Sequence, residues 1–592
     1  MYFFSRSFLA LVQIATFLGI IRLASAAGPF FTSLSASQHV LGNDIWNITV
    51  GTRYGTRLYY KGRDLVGKAA GHYVSHSGGS SLDWTSGKIY AQNEQFLDVV
   101  FEGTLGDFHW VIFPDLAGAY QYFVNKALPT LGEFRTLFRL DNTTFVNGKT
   151  AVKEGPLPTL AEIATATNVQ DETWQLASGK YITKYDWSSF LRSSSPSPSA
   201  SSPETFHGVY GPDFGSWIIT PGKDEFNGDQ LKQELLLHRE SKTGDVVLLN
   251  MLHGTHFMAS SSDQFAVGKT WGPWLWYLND GSIPDASTRA NTETSSWPYK
   301  WFTTSPTYQP RGSLTGTLHL SDGRPASNAA IFLGDNTSPL STLDQGSNNY
   351  YSTFTSPTGT FSIPHIRVGK YALSAWSNGA PIGDVSTVFL KNDIEITQDT
   401  KSELGRLEWK TQGRKGIFRI GEMDRKALGF AYGGAERQHG LSDKCPSNMT
   451  FTVGKSRVEE WCYAQSSVGS WTINFSLSGH AGGNSSFSNG KNGTASTGAA
   501  ILSVSLAGYS SGVDSEILVN GVKVGGMLSK DIPNDPALYR SGTTAGEWHF
   551  FEFAVPEGLL RGSGVANEVV FRVTKGSRWH GFMWDSVLLE WA

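Results

Sequence analysis

Along residues 27–308, apolar and polar positions alternate over short runs separated by Gly, Asp or Asn. Trp46–Val50, Ser86–Tyr90, Phe96–Phe101 and Phe108–Phe113 have this period of two and predict β-strands. Stretches 119–126 and 157–166 read as short helices. Residues 180–258 read as aromatic strands that carry Lys184, His207, His253 and His256. A Ser/Pro-rich insert at 193–203, whose only apolar residue is Ala200, interrupts them and predicts a surface loop.

Near residue 309 the pattern restarts. Leu314, Gly316, Leu318 and Leu320 alternate before a turn at Asp322-Gly323, and the runs 330–333, 359–363 and 369–375 follow. That is enough for a small sandwich resembling fibronectin type III-like modules. From 405 the runs lengthen to Ala500–Leu506, Trp548–Val555 and Asn567–Val573, with a hairpin turn at Asn520-Gly521. A Gly/Ser/Asn-rich stretch at 478–498 reads as a mobile loop, and no repeat of 20–50 residues is visible. The expected class is all-β. It comprises a large N-terminal β-sandwich (27–308), a small fibronectin type III-like sandwich (309–404) and a C-terminal jelly-roll β-sandwich of the carbohydrate-binding-module kind (405–592).

Composition sharpens this picture. Arg6, the apolar run 8–21 and Ala24-Ser25-Ala26 form a signal peptide over residues 1–26, so a secreted chain is expected. No later run is long and apolar enough for a membrane helix. A net charge of −4 with 17% charged residues gives no basic excess for nucleic acid. Aromatics make up 13% of the chain, including 19 Trp, which suits both β-cores and stacking on sugar rings. In a secreted chain the two cysteines, Cys445 and Cys462, are expected to pair. The same setting gives weight to seven N-x-S/T sequons: Asn47, Asn142, Asn336, Asn448, Asn474, Asn484 and Asn492.

The candidate chemistry sits in Lys184-Tyr-Asp-Trp187, His207-Gly208, Gly215-Ser-Trp-Ile-Ile-Thr-Pro221, His256-Phe-Met258 and 421–425. With the order of the three units, these motifs resemble family 4 polysaccharide lyases, the rhamnogalacturonan lyases of fungal type, over nearly the whole mature chain. The resemblance implies β-elimination on the rhamnose–galacturonic acid backbone of pectin by an endolyase. A base removes the carbon-5 proton of the uronate, donors stabilise the enolate, and an acid protonates the leaving oxygen. It further implies Lys184 as the base and His256 as the second catalytic residue, the proton donor, with His253 as its rival. On a strand, residues three apart face opposite sides, so both reach one cleft only if Gly254 bends or bulges the chain.

Arg135 and Arg139, four residues apart, share one face of a strand. They could clamp the uronate carboxylate and lower the pKa of Lys184, or simply pair with Glu133 and Asp141. Tyr185, Tyr210, Trp187 and His207 are candidate sugar contacts, with core packing as the plain alternative. Relative to the fungal enzymes, Leu249 and Met251 stand where two tyrosines are expected, and disulfides are missing from the first unit.

No cofactor is needed for this chemistry. A structural calcium in the last unit is possible through residues such as Asp585 and Glu422, although the metal ligands stay unassigned. The expected partner is pectic polysaccharide, bound by a monomer, with neither nucleic acid nor membrane. Competing readings are a non-catalytic glycan-binding protein, a mutarotase-like sugar epimerase and a glycoside hydrolase using carboxylates such as Glu133, Asp186 and Asp213.

Overall fold

The computed structural model describes residues 28–592 except 77–79, 131, 191–204, 227–228, 230, 255–263 and 478–497. The leader, the 193–203 insert, His256, Asn484, Asn492 and nearly all of the 478–498 stretch lie outside the described residues. Among those described, the class is all-β, with strands from Phe30–Ser35 to Gly581–Trp591.

In the first part of the chain a ten-stranded and a nine-stranded sheet enclose one core. Its centre is aromatic: Trp46, Trp110, Phe138 and Trp276 meet edge-on or stacked. The period of two does this sorting. Along Phe134–Leu140, Phe134, Phe138 and Leu140 enter the core, while Arg135, Leu137 and Arg139 line a cleft on the opposite face.

Two elements depart from expectation. Residues 119–126 form the strand Gly118–Asn125 rather than a helix, because ladders with Gly106–Ile112 and Thr270–Asn279 bind it on both edges. A helix not anticipated, Ile283–Ser296, covers the nine-stranded sheet with Ala286 and Ala290 buried and Ile283 partly buried as its apolar anchors, so its sequence carries little periodic signal. The second expected helix does form, as Leu160–Thr165, begun by a capping box between Thr159 and Glu162.

A second core fills a sandwich of a three-stranded and a four-stranded sheet between Arg311–Leu320 and Lys401–Trp409. A third lies between two five-stranded sheets from Lys415–Gly421 onward. Asn520 and Gly521, both at positive φ, turn the hairpin there. Cys445 and Cys462 are joined with Cα atoms 5.7 Å apart. Asp585 is buried and accepts hydrogen bonds from the backbone N–H groups of Asp424 and Lys426, while Glu422 pairs with Arg419. Among the described residues no group of three or more His, Cys, Asp or Glu could hold a metal, and no helix is long and apolar enough to cross a membrane. The five described sequon asparagines are all at least partly exposed.

Candidate active site

The cleft of about 610 Å³ is floored by the outer face of the ten-stranded sheet: Tyr73, Arg135, Leu137, Arg139, Val247 and Leu249. One wall is a small three-stranded meander, Thr167–Gln170, Thr173–Gln175 and Tyr181–Thr183. The chain then makes a 3₁₀ turn at Lys184–Trp187, where a strand was expected. The Thr183 hydroxyl caps it by accepting from the Tyr185 N–H at 3.3 Å. That turn separates neighbouring side chains: Lys184 lines the cleft, whereas Tyr185 and Trp187 are buried.

Lys184 is 10% exposed, and its Nζ lies 2.9 Å from the half-exposed Asp171 carboxylate. Its ion-pair partner is thus a carboxylate, with Arg135 and Arg139 elsewhere in the same cleft. The Tyr185 hydroxyl donates to the same Asp171 oxygen at 2.8 Å. Arg135 pairs with Glu133, as its plain alternative allowed, and its Nε donates to Ser75 Oγ at 3.1 Å. Arg139 pairs not with Asp141 but with Glu240 at 3.0 Å and Asp245 at 3.5 Å, and its Nε donates to Tyr73 Oη at 3.1 Å. Both arginines remain about one-fifth exposed within the cleft.

The histidines are placed otherwise. His207 is buried behind the floor, its Nε2–H donating to the Leu249 carbonyl at 2.6 Å, and burial pushes its pKa down to about 4. His253 is buried against Phe265, with ring centroids 4.7 Å apart, and burial holds it well below the usual imidazole range. Neither lines the cleft, because the sheet's inner layers take both rings. The strand bulges opposite Phe134–Arg135 and Gly254 follows at φ +73°, yet His253 stays out of the cleft, and His256 lies outside the described residues. Tyr210 stacks on Trp217 at 5.9 Å and is likewise outside the cleft.

Sequence reasoning missed the residues opposite Lys184. His238 borders the cleft from the strand Leu237–Arg239, and Glu240 and Lys242 from the turn after it. Asp171 and Glu172 border it from the two-residue turn of the meander. Glu172 sits at φ +43°, an unusual backbone conformation for a glutamate. The turn has neither Gly nor Asn, so nothing in its sequence marks it. Glu133, Asp186 and Asp213, the hydrolase candidates, are not brought together: Asp186 is held near Lys153, and Asp213 is exposed.

The third sandwich backs the meander. Gln170 Nε2 donates to the Tyr539 carbonyl at 2.8 Å and lies 2.9 Å from His439 Nδ1, and the Arg540 guanidinium lies over the Tyr185 ring at 5.7 Å. Arg437 donates to the Ser188 carbonyl at 3.2 Å, just beyond the Lys184 turn.

Comparison with known proteins fits this geometry. Residues 321–404 match domain II of polysaccharide lyase family 4, and residues 416–589 match its domain III. A rhamnogalacturonate lyase of Dickeya dadantii (strain 3937) is 27% identical over 598 aligned positions, covering 95% of each chain. Residues 321–404 and 416–589 are thus domains II and III of the polysaccharide lyase family 4 type. Rhamnogalacturonate lyase B of Emericella nidulans is 25% identical over 70% of this chain and 69% of its own. Probable rhamnogalacturonate lyase B of Aspergillus niger is 23% identical over 61% and 57%. Leu249 and Met251, the two positions where tyrosines were expected, belong to the small apolar cluster at the cleft floor. No hydroxyl can act from there.

Proposed function

We propose that this chain is a secreted, monomeric rhamnogalacturonan endolyase, organised as units 27–308, 309–404 and 405–592, that cleaves the pectin backbone by β-elimination. The observation that carries the reading is that Lys184 and the pair Arg135 and Arg139, from separate segments, line one open cleft. The two family 4 domains and the names of the relatives support the same substrate class.

In this reading the arginines take the uronate carboxylate, and their charge lowers the energy of the enolate formed as the carbon-5 proton leaves. Lys184 accepts that proton after its own excess proton has passed to an acceptor, and Asp171, 2.9 Å away, is within reach. The bond from carbon 4 to oxygen then breaks, carbon 4 and carbon 5 become doubly bonded, and the leaving oxygen takes a proton. The family resemblance assigns that last proton to His256.

A hydrolase reading fits less well. In the cleft, Glu172 and Glu240 lie side by side, Glu172 held by Ser241 and Glu240 by Arg139. Glycosidases instead hold theirs roughly 5–9.5 Å apart. The test is incubation with rhamnogalacturonan and with a neutral polysaccharide, following ultraviolet absorbance. The expected result is an unsaturated uronate from the first substrate only. Reducing ends without new absorbance would overturn the reading in favour of hydrolysis.

A further inference from the structure

Glu172 and Glu240 come from segments nearly seventy residues apart and are brought together on the wall of the cleft, where Glu172 is held by Ser241, the residue next to Glu240. Two carboxylates placed side by side away from bulk water favour one proton between them, since both charged would repel. Both oxygens of Glu172 are engaged with Ser241, Oε1 accepting from Oγ at 2.8 Å and Oε2 from the N–H at 3.2 Å. Glu240 in turn accepts from Arg139 at 3.0 Å. The Glu172 carbonyl also accepts the N–H of Lys184 at 3.2 Å, which ties this residue to the base through the backbone.

We propose that Glu172 and Glu240 hold one proton between them, and that this shared proton lets Arg139 exchange Glu240 for the carboxylate of an acidic sugar. The inference rests on the lyase reading above and adds a residue pair that sets which charge of ligand the cleft accepts, and at what pH.

The surrounding charges show why the proton matters. The cleft and its immediate partners hold four fixed cations, Arg135, Arg139, Lys184 and Lys242. Against them stand Asp171, Glu172 and Glu240 in the cleft, with Glu133 and Asp245 paired to the arginines. One shared proton brings four cations and five carboxylates to balance. Without it the site is negative before any anionic sugar arrives. His238 faces the same space and adds positive charge only when protonated, and the Tyr73 hydroxyl is neutral.

Exchange follows simply. An incoming uronate carboxylate takes the Arg139 N–H groups, and Glu240, released from the guanidinium, keeps the hydrogen bond from protonated Glu172. No covalent bond changes, and no proton leaves the pair. Burial first, then the hydrogen bond to Glu240, pushes Glu172 up to about 6. For Glu240 burial acts in the same upward direction, but the bond from Glu172 and the charges of His238 and Arg139 outweigh it, leaving it lowered. The proton therefore resides on Glu172 below about pH 6 and is lost as pH rises through that value.

The experiment measures KM and kcat on rhamnogalacturonan oligosaccharides from pH 5.5 to 8 for the wild type, Glu172→Gln, Glu240→Gln and His238→Gln. In the wild type KM should rise toward tenfold per pH unit above the pair's titration. In Glu172→Gln the amide nitrogen still donates to Glu240 and the amide oxygen keeps one of the two bonds from Ser241, but the group cannot ionise. Its KM at pH 8 should stay within about threefold of its value at pH 5.5, below the wild type at pH 8, with the pH profile of kcat unchanged. Glu240→Gln should flatten KM as well and serves if the first variant folds poorly. Retention of the wild-type KM profile in both glutamine variants, or transfer of the whole effect to His238→Gln, would overturn the proposal. If the wild type releases no absorbing product at all, the lyase reading has failed rather than this one.

Discussion

Among the described residues, two of the clusters of guanidinium, carboxylate and tyrosine differ most in access while sharing the same parts. One is the cleft. The other lies where the first sandwich meets the second: Arg311 and Arg367 both donate to Asp224 at 2.9 Å, Arg367 reaches Glu225 at 3.6 Å, and Tyr351 donates to Asp224 at 3.4 Å. Tyr308 covers both guanidiniums at 5.0 Å. All four charged side chains in this junction are under one-tenth exposed. Burial alone would raise Asp224, but the charges of Arg367 and Arg311 win and hold it below the usual range, while burial and the Asp224 charge drive Glu225 up. The cleft keeps its arginines about one-fifth exposed and Asp171 half exposed. Access, not composition, separates a cluster that joins two sandwiches from one that can exchange partners with a ligand.

The comparison predicts opposite phenotypes. Lys184→Ala should lose on the order of 10²–10⁴-fold in turnover, the range for removal of a general base. Its stability should change little, because a pair with a half-exposed carboxylate contributes about 0–1 kcal/mol. Product absorbance and circular dichroism check both halves; normal turnover by a folded variant would remove Lys184 from the chemistry.

Arg367→Met should do the reverse. Removing one partner from a sealed cluster costs about 3–5 kcal/mol, because a buried charge is left behind. The urea midpoint should fall while turnover per folded molecule holds. Reduced turnover at full stability would mean that the junction communicates with the cleft.

Next in size is Arg135→Ala. A hydrogen bond to a charged group contributes about 1.5–3 kcal/mol, or roughly 10–100-fold. The loss should be shared between KM and kcat, since the guanidinium meets the carboxylate in both the bound substrate and the enolate. A variant that binds and turns over normally would make Arg135 only a partner for Glu133.

What the sequence allowed to be read follows from how far each pattern reaches. The all-β class, the three restarts of alternation and the shared face of Arg135 and Arg139 are local, period-two features. Lys184 came from resemblance; spacing alone left it as an ordinary strand-end lysine, and the 3₁₀ turn that exposes it to the cleft depends on one threonine cap. Glu172, Glu240 and Tyr73 were invisible because they meet only through strand register between distant segments. The same holds for Asp224 with Arg311 and Arg367. His207 and His253 misled for the opposite reason: each sits in a motif beside glycine, yet neither ring reaches the cleft. The unexpected helix 283–296 shows that a sheet can recruit a polar segment with two buried alanines and one partly buried isoleucine.

The smallest expected effect concerns Tyr185, which was a candidate sugar contact and is instead buried behind Lys184. Its hydroxyl donates to the Asp171 oxygen that also holds the Lys184 ammonium. A hydrogen bond to a carboxylate contributes about 1.5–3 kcal/mol, and the half exposure of Asp171 screens this one to the low end of that range. Tyr185→Phe keeps the ring, its packing and the Arg540 contact above it, and removes only that donor. Asp171 then has one fewer anchor, and its grip on the lysine becomes less well oriented. Turnover should fall up to about tenfold, whereas KM should stay within about twofold, because no atom of Tyr185 lines the cleft. A KM that rises with kcat unchanged would show that the hydroxyl meets the sugar after all, and that the turn at Lys184–Trp187 opens when substrate binds.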